Sequence, residues 1–462
     1  LNFETDETLF SSGLQISFQM ALKRLGASYL LPLTQRYRSI HWHSKQKMAF
    51  TASKKLKHHI EHLVKIHPHR IDFEQKRPLK IAHLTAQLVD GGHAPSQLVE
   101  SILSHHDKEL FDPILICCEE AALRTCEYPF NLYTSLPSAE RGAQRLKRLQ
   151  NLNIPIFMDD GSKSIETTAQ KISALLDQQE IDIAIFHSPS LLHILCAAGC
   201  KVPLKVLFEH GTLPYTKGFD YAILSAQETK NQHVELFKEL KIETSVHTFP
   251  VDCRAHWEER RYSAARVGLP EDGFLMTTIS NNLELRLTIP CLDAIGRILQ
   301  QCPYAYYAPI GHIKNIKTFR EFFYAYGVED RIMPLGHQEN PSQIARSMHL
   351  YLNEFPIGSG FGALEAMSAG CPIVTMYDEE GPPAAQYAAI YFGKERSVQK
   401  GDIEGYIQLA VSLYSDKEKY QEWSVQARRQ YEARFNIDEY MISFERTLLE
   451  WKRERERGEK GS

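Results

Sequence analysis

The feature that most constrains this chain is a repeating alternation of short apolar runs, turn residues and helix-spaced segments, which runs through it twice. Leu79-Lys-Ile-Ala-His-Leu84 follows a proline and leads into the polar Gly91-Gly92 loop; Ser96-Gln-Leu-Val-Glu-Ser-Ile-Leu103 then carries its apolar residues at helical spacing. Pro113–Cys117, Ile154–Phe157, Ile181–Phe186 and Leu204–Phe208 repeat the strand pattern, with a helical segment at Ile165–Gln178 between them. Strands that alternate with helices and read as continuous apolar runs predict a parallel sheet covered on both faces. After Pro250 a second cycle begins. Residues 253–273 are charged and helix-like, Phe274–Ile279 reads as a strand and Ile289–Gln300 as a helix. Further strands are expected at Ala305–Ala308, Ile332–Leu335, Leu350–Asn353 and Pro372–Thr375. The expected organisation is a doubly wound domain over 78–250, a second over 251–415, and C-terminal helices over 416–462. The last of these ends in Lys452–Arg457, an alternating-charge run that reads as a solvated helix tip.

Two doubly wound domains place their ligand sites at the carboxyl ends of the strands, in the cleft between them. A length of 462 residues requires more than one core, and an apolar fraction of 43% removes the disordered and collagen-like classes. With 53 basic against 57 acidic residues the net charge is −4, which argues against a nucleic-acid binder. No run approaches the ~18 apolar residues of a membrane span. The nine cysteines show no C-x-x-C spacing. Cys117-Cys118, Cys196 and Cys200 sit in apolar surroundings and read as small buried hydrophobes in a reducing cytoplasm. The first residue is Leu1, and no secretory leader is expected.

The charge is unevenly spread. Residues 1–80 carry 14 Lys+Arg and 6 Asp+Glu, and the stretch 31–70 holds nine basic residues, Glu61 and seven histidines. An N-terminal helical segment over 1–77 is expected, either as a docking surface for an anionic partner or membrane or as a solvated cap on the first domain. His58 and His62 share a helix face in an H-x-x-E-H order known from some zinc peptidases. No third ligand accompanies them, so a basic helix surface is the reading carried forward and no metal site is assigned.

The richest stretch is Leu350-Tyr-Leu-Asn-Glu-Phe-Pro-Ile-Gly-Ser-Gly-Phe-Gly-Ala-Leu-Glu-Ala-Met-Ser-Ala-Gly-Cys-Pro-Ile-Val-Thr375. A strand runs into a Pro/Gly loop, a helix opens near Phe361, and Gly370-Cys-Pro leads to the next strand. Backbone amides of Gly358, Ser359, Gly360, Phe361 and Gly362 at a helix start suit a diphosphate. Glu365, one turn in, suits ribose hydroxyls. A glycine turn required only by packing is the competing reading.

The phrase Leu-Asn-x-Phe-Pro-x-Gly, followed by an acidic residue nine positions after the proline and then Gly-x-Pro, resembles the donor-binding segment of GT-B glycosyltransferases. It is closest to the branch containing the O-linked N-acetylglucosamine transferases and the bacterial cytoplasmic transferases that glycosylate adhesins. The match falls on Leu352, Asn353, Phe355 and Pro356, with Glu365 where that branch has a ribose-binding Asp. The commoner GT-B pattern has two glutamates eight positions apart. Here Ile357 occupies the earlier position and Glu354 lies eleven before Glu365, a departure from that retaining pattern.

The resemblance implies an α/β protein of two Rossmann-like domains facing across a cleft (GT-B), preceded by the helical segment. It implies an acceptor-side first domain and a donor-side second domain, and favours inversion by single displacement. Arg286 falls where the family places a cation against the diphosphate, a role the guanidinium fork suits; Lys314 and Lys317 compete for it. His337 falls where family members contact the nucleotide. Gly91 and Gly92, after Asp90, resemble the glycine pair under the sugar diphosphate. His210 resembles the post-strand histidine near the sugar, where an imidazole titrating near neutrality can act on an acceptor hydroxyl. His187 is a second candidate, and Glu209 or Asp90 an alternative base.

The expected activity is transfer of a hexose or N-acetylhexosamine from a UDP-linked sugar to an acceptor protein or glycan. No cofactor is expected: no Asp-x-Asp stands in a convincing post-strand position, and helix dipoles and cations would neutralise the leaving group instead. A UDP-sugar epimerase of the same fold and a non-catalytic nucleotide-sugar binding or scaffold protein are the alternatives.

Overall fold

The computed structural model describes residues 77–118, 140, 142–159, 165–211, 213–214, 217–253, 263–281, 283–338 and 340–460. The basic N-terminal segment, with His58 and His62, lies outside the described residues. Seven strands form the first sheet: β1 Leu79–Thr85, β2 Phe111–Cys117, β3 Ile156–Met158, β4 Ile183–Phe186, β5 Leu204–Phe208, β6 Tyr221–Leu224 and β7 Glu243–Val246. Their order is β3-β2-β1-β4-β5-β6-β7, all parallel. The crossovers use α1 Ala94–His105, α2 Ala143–Asn151, α3 Ile165–Gln178, α4 Leu191–Gly199, α5 Gln227–Gln232 and α6 Val234–Leu240. The apolar runs are continuous because both faces are buried. Ile81, Ile183, Ile185, Val206 and Phe208 face one core, and Ala82, Leu84, Ala184, Phe186 and Leu207 the other.

The second sheet is smaller. It comprises β8 Phe274–Thr277, β9 Ala305–Tyr307, β10 Leu350–Leu352 and β11 Ile373–Val374, parallel in the order β11-β10-β8-β9; β12 Met376–Tyr377 and β13 Val398–Gln399 form a separate pair. Its helices are α7 Leu283–Arg286, α8 Ile289–Gln301, α9 Ile316–Glu321, α10 Pro341–Ala345, α11 Gly360–Ser368, α12 Tyr387–Phe392 and α13 Ile403–Ser415. The chain closes with α14 Lys417–Arg434 and α15 Ile437–Lys460.

Two expectations need correction. The run 332–335 makes only isolated bridges, Ile332 to Tyr307 and, just beyond the run, Gly336 to Ile310. Met333 and Leu335 donate to the Tyr307 and Pro309 carbonyls at 2.8 and 3.0 Å, but Pro309 has no N–H to return and the ladder is not completed. The strands β6 and β7 were not anticipated, being four residues each and, in β7, polar at the sheet edge. The eight described cysteines are all buried and unbridged.

The final helices divide between the sheets. Ser424 of α14 donates to the Gly370 carbonyl at 2.7 Å beside the end of α11. By contrast α15 returns to the first sheet, where Trp451 stacks on Tyr221 with ring centroids 4.5 Å apart and Phe444 approaches Phe208. Among the described residues no helix is long and apolar enough to cross a membrane. Because Trp451 is buried against β6, Trp451→Ala is expected to destabilise the fold by about 3–5 kcal/mol. Urea unfolding followed by circular dichroism checks this; a loss below about 1 kcal/mol would mean that α15 contributes little by docking there.

Candidate functional site

The loops after β1, β5, β8 and β10 converge between the two sheets. After β1, Asp90 accepts the amides of Gln144 and Arg145 at 3.0 and 2.9 Å, so its carboxylate caps α2 rather than standing free as a base. Arg145, buried, donates to the Gly91 and Val89 carbonyls at 2.6 and 2.8 Å and pairs with Glu100. That bracing holds Gly91 at φ +67°, a conformation that favours glycine. A side chain at Gly91 would run into the His337 ring, and one at Gly92 would come 3.2 Å from Asn281. The glycine pair therefore lets the first half of the molecule close on exposed His337 and on the loop after β8.

The 350–375 stretch forms strand, loop and helix as its residues predict. Ser359 caps α11, its hydroxyl accepting the Gly362 amide at 3.1 Å. Asn353 donates to the Ser359 carbonyl at 3.0 Å and accepts from Thr375 at 3.1 Å, and Phe355–Pro356 is cis. Side chains at 358, 360 and 362 would strike Asn353, Tyr387 and Ile279 respectively, so all three glycines are also needed for packing. Three of the five amides expected to cradle an anion are already used: Gly358 donates to the Ala385 carbonyl at 2.9 Å, Gly362 to the Ser359 hydroxyl, and Ser359 to the Glu354 carboxylate. Gly360 and Phe361 remain at the helix start. A pocket beside the loop is lined by Asn353, Glu354, Gly358, Gln386 and Lys400.

Arg286, at the end of α7, places Nη1 3.4 Å from Oε1 of buried Glu354. Its competitor Lys317 is solvent-exposed and 3.8 Å from Glu321. Glu365 is buried in α11, and burial pushes its carboxyl up to about 8, opposed by a hydrogen bond from Gln97 of α1. Across the cleft, Glu209 is buried with both oxygens occupied: Oε1 accepts the Gly211 amide, and Oε2 accepts the Ser225 amide at 3.2 Å and its hydroxyl at 2.5 Å. The Tyr387 hydroxyl adds a bond to Oε1 at 3.2 Å. Burial raises the Glu209 carboxyl. Saturated in this way, Glu209 braces the loop and the facing half rather than presenting itself to a substrate. His210, next in the chain and partly exposed, contacts His187 ring nitrogen to ring nitrogen at 3.0 Å.

No family profile matches the chain, and no curated protein matches it. Solved structures do. The O-GlcNAc transferase of Thermobaculum terrenum superposes with a TM-score of 0.63 at 16% identity, covering 97% of this chain and 83% of that one. A glycosyltransferase from Rickettsia africae gives 0.59 at 14% identity, with 82% and 98% covered. Anabaena HepE, solved with UDP and glucose, gives 0.58 at 14%, with 80% and 99% covered. The chain has the GT-B glycosyltransferase fold. The fold class expected from the alternating pattern and the 350–375 phrase, α/β with parallel sheets in the GT-B arrangement, is the one observed.

Within this GT-B cleft, Gly91, Gly92, Arg286, His337, the 358–362 loop, Glu365 and His210 lie around one interface, while Glu209 stands behind it. Sequence reasoning missed Gln97, Arg145, Ser225, Tyr387 and the histidines at 83, 93 and 106. Each of these supports another group from an adjacent element, and a lone polar residue in an apolar run carries no signal of its partner. Among the described residues no cluster of three or more His, Cys, Asp or Glu could hold a metal ion.

Glu365 carries a stability signature. An acid shifted from 4.5 to about 8 by burial keeps its proton in the folded state while the unfolded chain has lost it. Stability contributed by the neutral form is therefore full at low pH and falls as pH rises between those values. Glu365→Gln is expected to flatten the decline of Tm between pH 5 and 8 in ligand-free protein. Parallel Tm curves for the two proteins would show that Glu365 is ionised throughout.

Proposed function

We propose that this chain is a glycosyltransferase that moves a hexose or N-acetylhexosamine from a UDP-linked donor to a hydroxyl of an acceptor protein or glycan. Residues 78–250 would form the acceptor side and 251–415 the donor side. The observation that carries the reading is the convergence on one cleft of an uncommitted helix start at Gly360-Phe361, the cation of Arg286, the buried acid Glu365 and the imidazole of His210. The resemblance of the 350–375 phrase and the sharing of a fold with HepE, solved with UDP and glucose, support it.

In this reading the ribose hydroxyls donate to Glu365 and favour its ionised form. Arg286 and the Gly360 and Phe361 amides face the diphosphate, whose charge grows as the bond to the sugar breaks. His337 and the Gly91-Gly92 turn close over the donor. His210 takes the proton of the attacking hydroxyl, and Glu209 fixes the loop that carries it. A base on the acceptor side fits single displacement with inversion.

Incubation with a panel of UDP- and GDP-sugars and cell lysate, followed by mass spectrometry of labelled product, tests the activity. Free UDP with a labelled acceptor supports transfer. An isomerised sugar nucleotide would make the protein an epimerase, and UDP binding without turnover would make it a binding protein. Glu365→Ala is expected to weaken UDP binding by about 2–4 kcal/mol, the scale of a charge-assisted hydrogen-bond pair; calorimetry showing unchanged affinity removes the ribose assignment. His210→Ala is expected to cut kcat by about 10²–10⁴-fold while UDP affinity stays near the parent value. Equal loss of both would make His210 a structural residue.

A further inference from the structure

Behind the cleft, four histidines and a glutamate stand in single file. His210 Nε2 is 3.0 Å from His187 Nδ1, and His187 Nε2 is 2.9 Å from His83 Nδ1. His83 Nε2 is 3.0 Å from His106 Nε2, and His106 Nδ1 is 2.8 Å from Glu445 Oε1. The five come from five places in the fold: the loops after β5 and β4, strand β1, the end of α1, and α15. His83, His106 and His187 are buried, and each spends both ring nitrogens on its neighbours.

A neutral imidazole has one N–H and one lone pair. A file of neutral rings therefore has two consistent arrangements, with every N–H pointing toward Glu445 or every N–H pointing away. Ionised Glu445 can only accept, and its Oε1 also takes the Asp107 amide at 3.0 Å. It selects the first arrangement. His106 then donates from Nδ1, His83, His187 and His210 donate from Nε2, and His210 is left with a bare lone pair on Nδ1, the nitrogen outside the file. Protonating Glu445 reverses every bond and turns that lone pair into an N–H.

We propose that this file is a proton relay, in which Glu445 sets the tautomer of His210 and stores the proton that His210 takes from the acceptor hydroxyl. The storage half rests on the reading of His210 as the base; the tautomer half does not. In the step, the acceptor proton goes to His210 Nδ1 and the His210 Nε2 proton passes to His187 Nδ1. The His187 Nε2 proton passes to His83 Nδ1, the His83 Nε2 proton to His106 Nε2, and the His106 Nδ1 proton to Glu445 Oε1. No ring keeps a charge. The electron pair left on the acceptor oxygen forms the new bond to the sugar carbon, while the pair of the broken C–O bond leaves on the diphosphate. The negative charge of Glu445 is thereby exchanged for that of the leaving group, and Glu445 returns its proton to solvent before the next cycle.

The surroundings favour this assignment over a merely packed cluster. Burial holds His210 and His106 down to about 3 and His83 and His187 well below the ordinary imidazole range, so none of them keeps an added proton near neutrality. Burial pushes Glu445 up to about 7, which makes it a much better resting place. The titratable and charged neighbours are spread along the file. His93, bonded to Ser96, and His193, bonded to Ser188, face the His210 and His187 end. Lys108, Asp107 and His105, the last 3.4 Å from Asp252, face the His106 end. His247, bonded to Thr447 on α15, lies against Phe444. The rings of Phe208, Phe111 and Phe444 fill the space around the file.

The test uses the full chain with 15N-labelled histidine, read by long-range 1H–15N correlation between pH 5.5 and 8.5. His83, His187 and His210 are expected to change tautomer together, with one midpoint at about 7. Glu445→Gln should abolish that shared transition and hold one arrangement at every pH. Separate midpoints, or a transition that survives Glu445→Gln, would overturn tautomer control. In turnover, Glu445→Gln and His106→Phe are each expected to lower kcat about tenfold or more, to move the acid limb of the pH profile to lower pH, and to leave UDP affinity unchanged. If both keep the parent kcat and acid limb while His210→Ala loses turnover, the relay is wrong and the base stands. If His210→Ala keeps its turnover, the base reading fails and takes proton storage with it. Should His106→Phe not fold, Glu445→Gln alone decides each arm.

Discussion

The constraint on which the rest of this structure depends is the burial of carboxylates. Taking a carboxyl group out of water is costly unless donors replace the lost solvent or the group keeps its proton. Glu209, Glu354, Glu365 and Glu445 are all buried, and burial raises each of them. Each is met by a group from elsewhere in the chain. Glu209 on the first sheet is bonded by Tyr387 of α12, Glu365 on α11 by Gln97 of α1, and Glu445 on α15 by His106 at the end of α1. Glu354 faces Arg286 within the second half. Three of the four bonds join different halves or layers, so the halves are held together by polar contacts of fixed geometry as well as by apolar area. A bond of this kind has a direction and a length, and it fixes the orientation of the loops it joins.

The parallel topology explains why these bonds gather where they do. In both sheets the chain turns at the carboxyl ends of the strands, and the apolar faces leave little room for polar groups elsewhere. Polar residues are accordingly concentrated in the post-strand loops and on the first turns of the following helices. The glycines complete the approach: without a side chain at 91 the His337 ring can reach the first half, and without one at 362 α11 can lie against the backbone after β8.

Much of this was legible in the order of residues. The runs at 79–84, 113–117 and 204–208 are strands because two-sided burial leaves them mostly apolar, and the Pro/Gly loop with a helix opening near Phe361 was readable from the 350–375 phrase. The run 332–335 had the right composition, but Pro309 on the facing segment lacks the N–H that would complete a ladder. The strand β7 has an exposed and polar edge and gives no apolar signal. What could not be read was pairing at long range. His83 lies within the 79–84 run, and His106 and Glu445 carry no sequence signal of a partner; their alignment depends on α15 returning to the first sheet. Glu209 stood next to His210 in the sequence as an alternative base. Only the positions of Ser225 and Tyr387 separate a saturated brace from an available base.

Glu354 and Glu365 show how environment divides roles between two acids of one segment. Both are buried in the same strand–loop–helix unit, and desolvation acts on both. Glu354 has a guanidinium 3.4 Å away, which compensates an ionised form and anchors Arg286 at the mouth of the loop. Glu365 has the amide of Gln97, a neutral partner that compensates less, and its carboxyl stands at about 8. A group in that state is improved by any ligand that brings two hydroxyl donors, because each donated bond favours the carboxylate and recovers part of what burial took. A cis-diol does this; an isolated phosphate does not. Under the proposed function, the same desolvation that makes Glu365 a poor anion in the empty protein would make it selective for a ribose and would tie donor binding to release of a proton within the cleft.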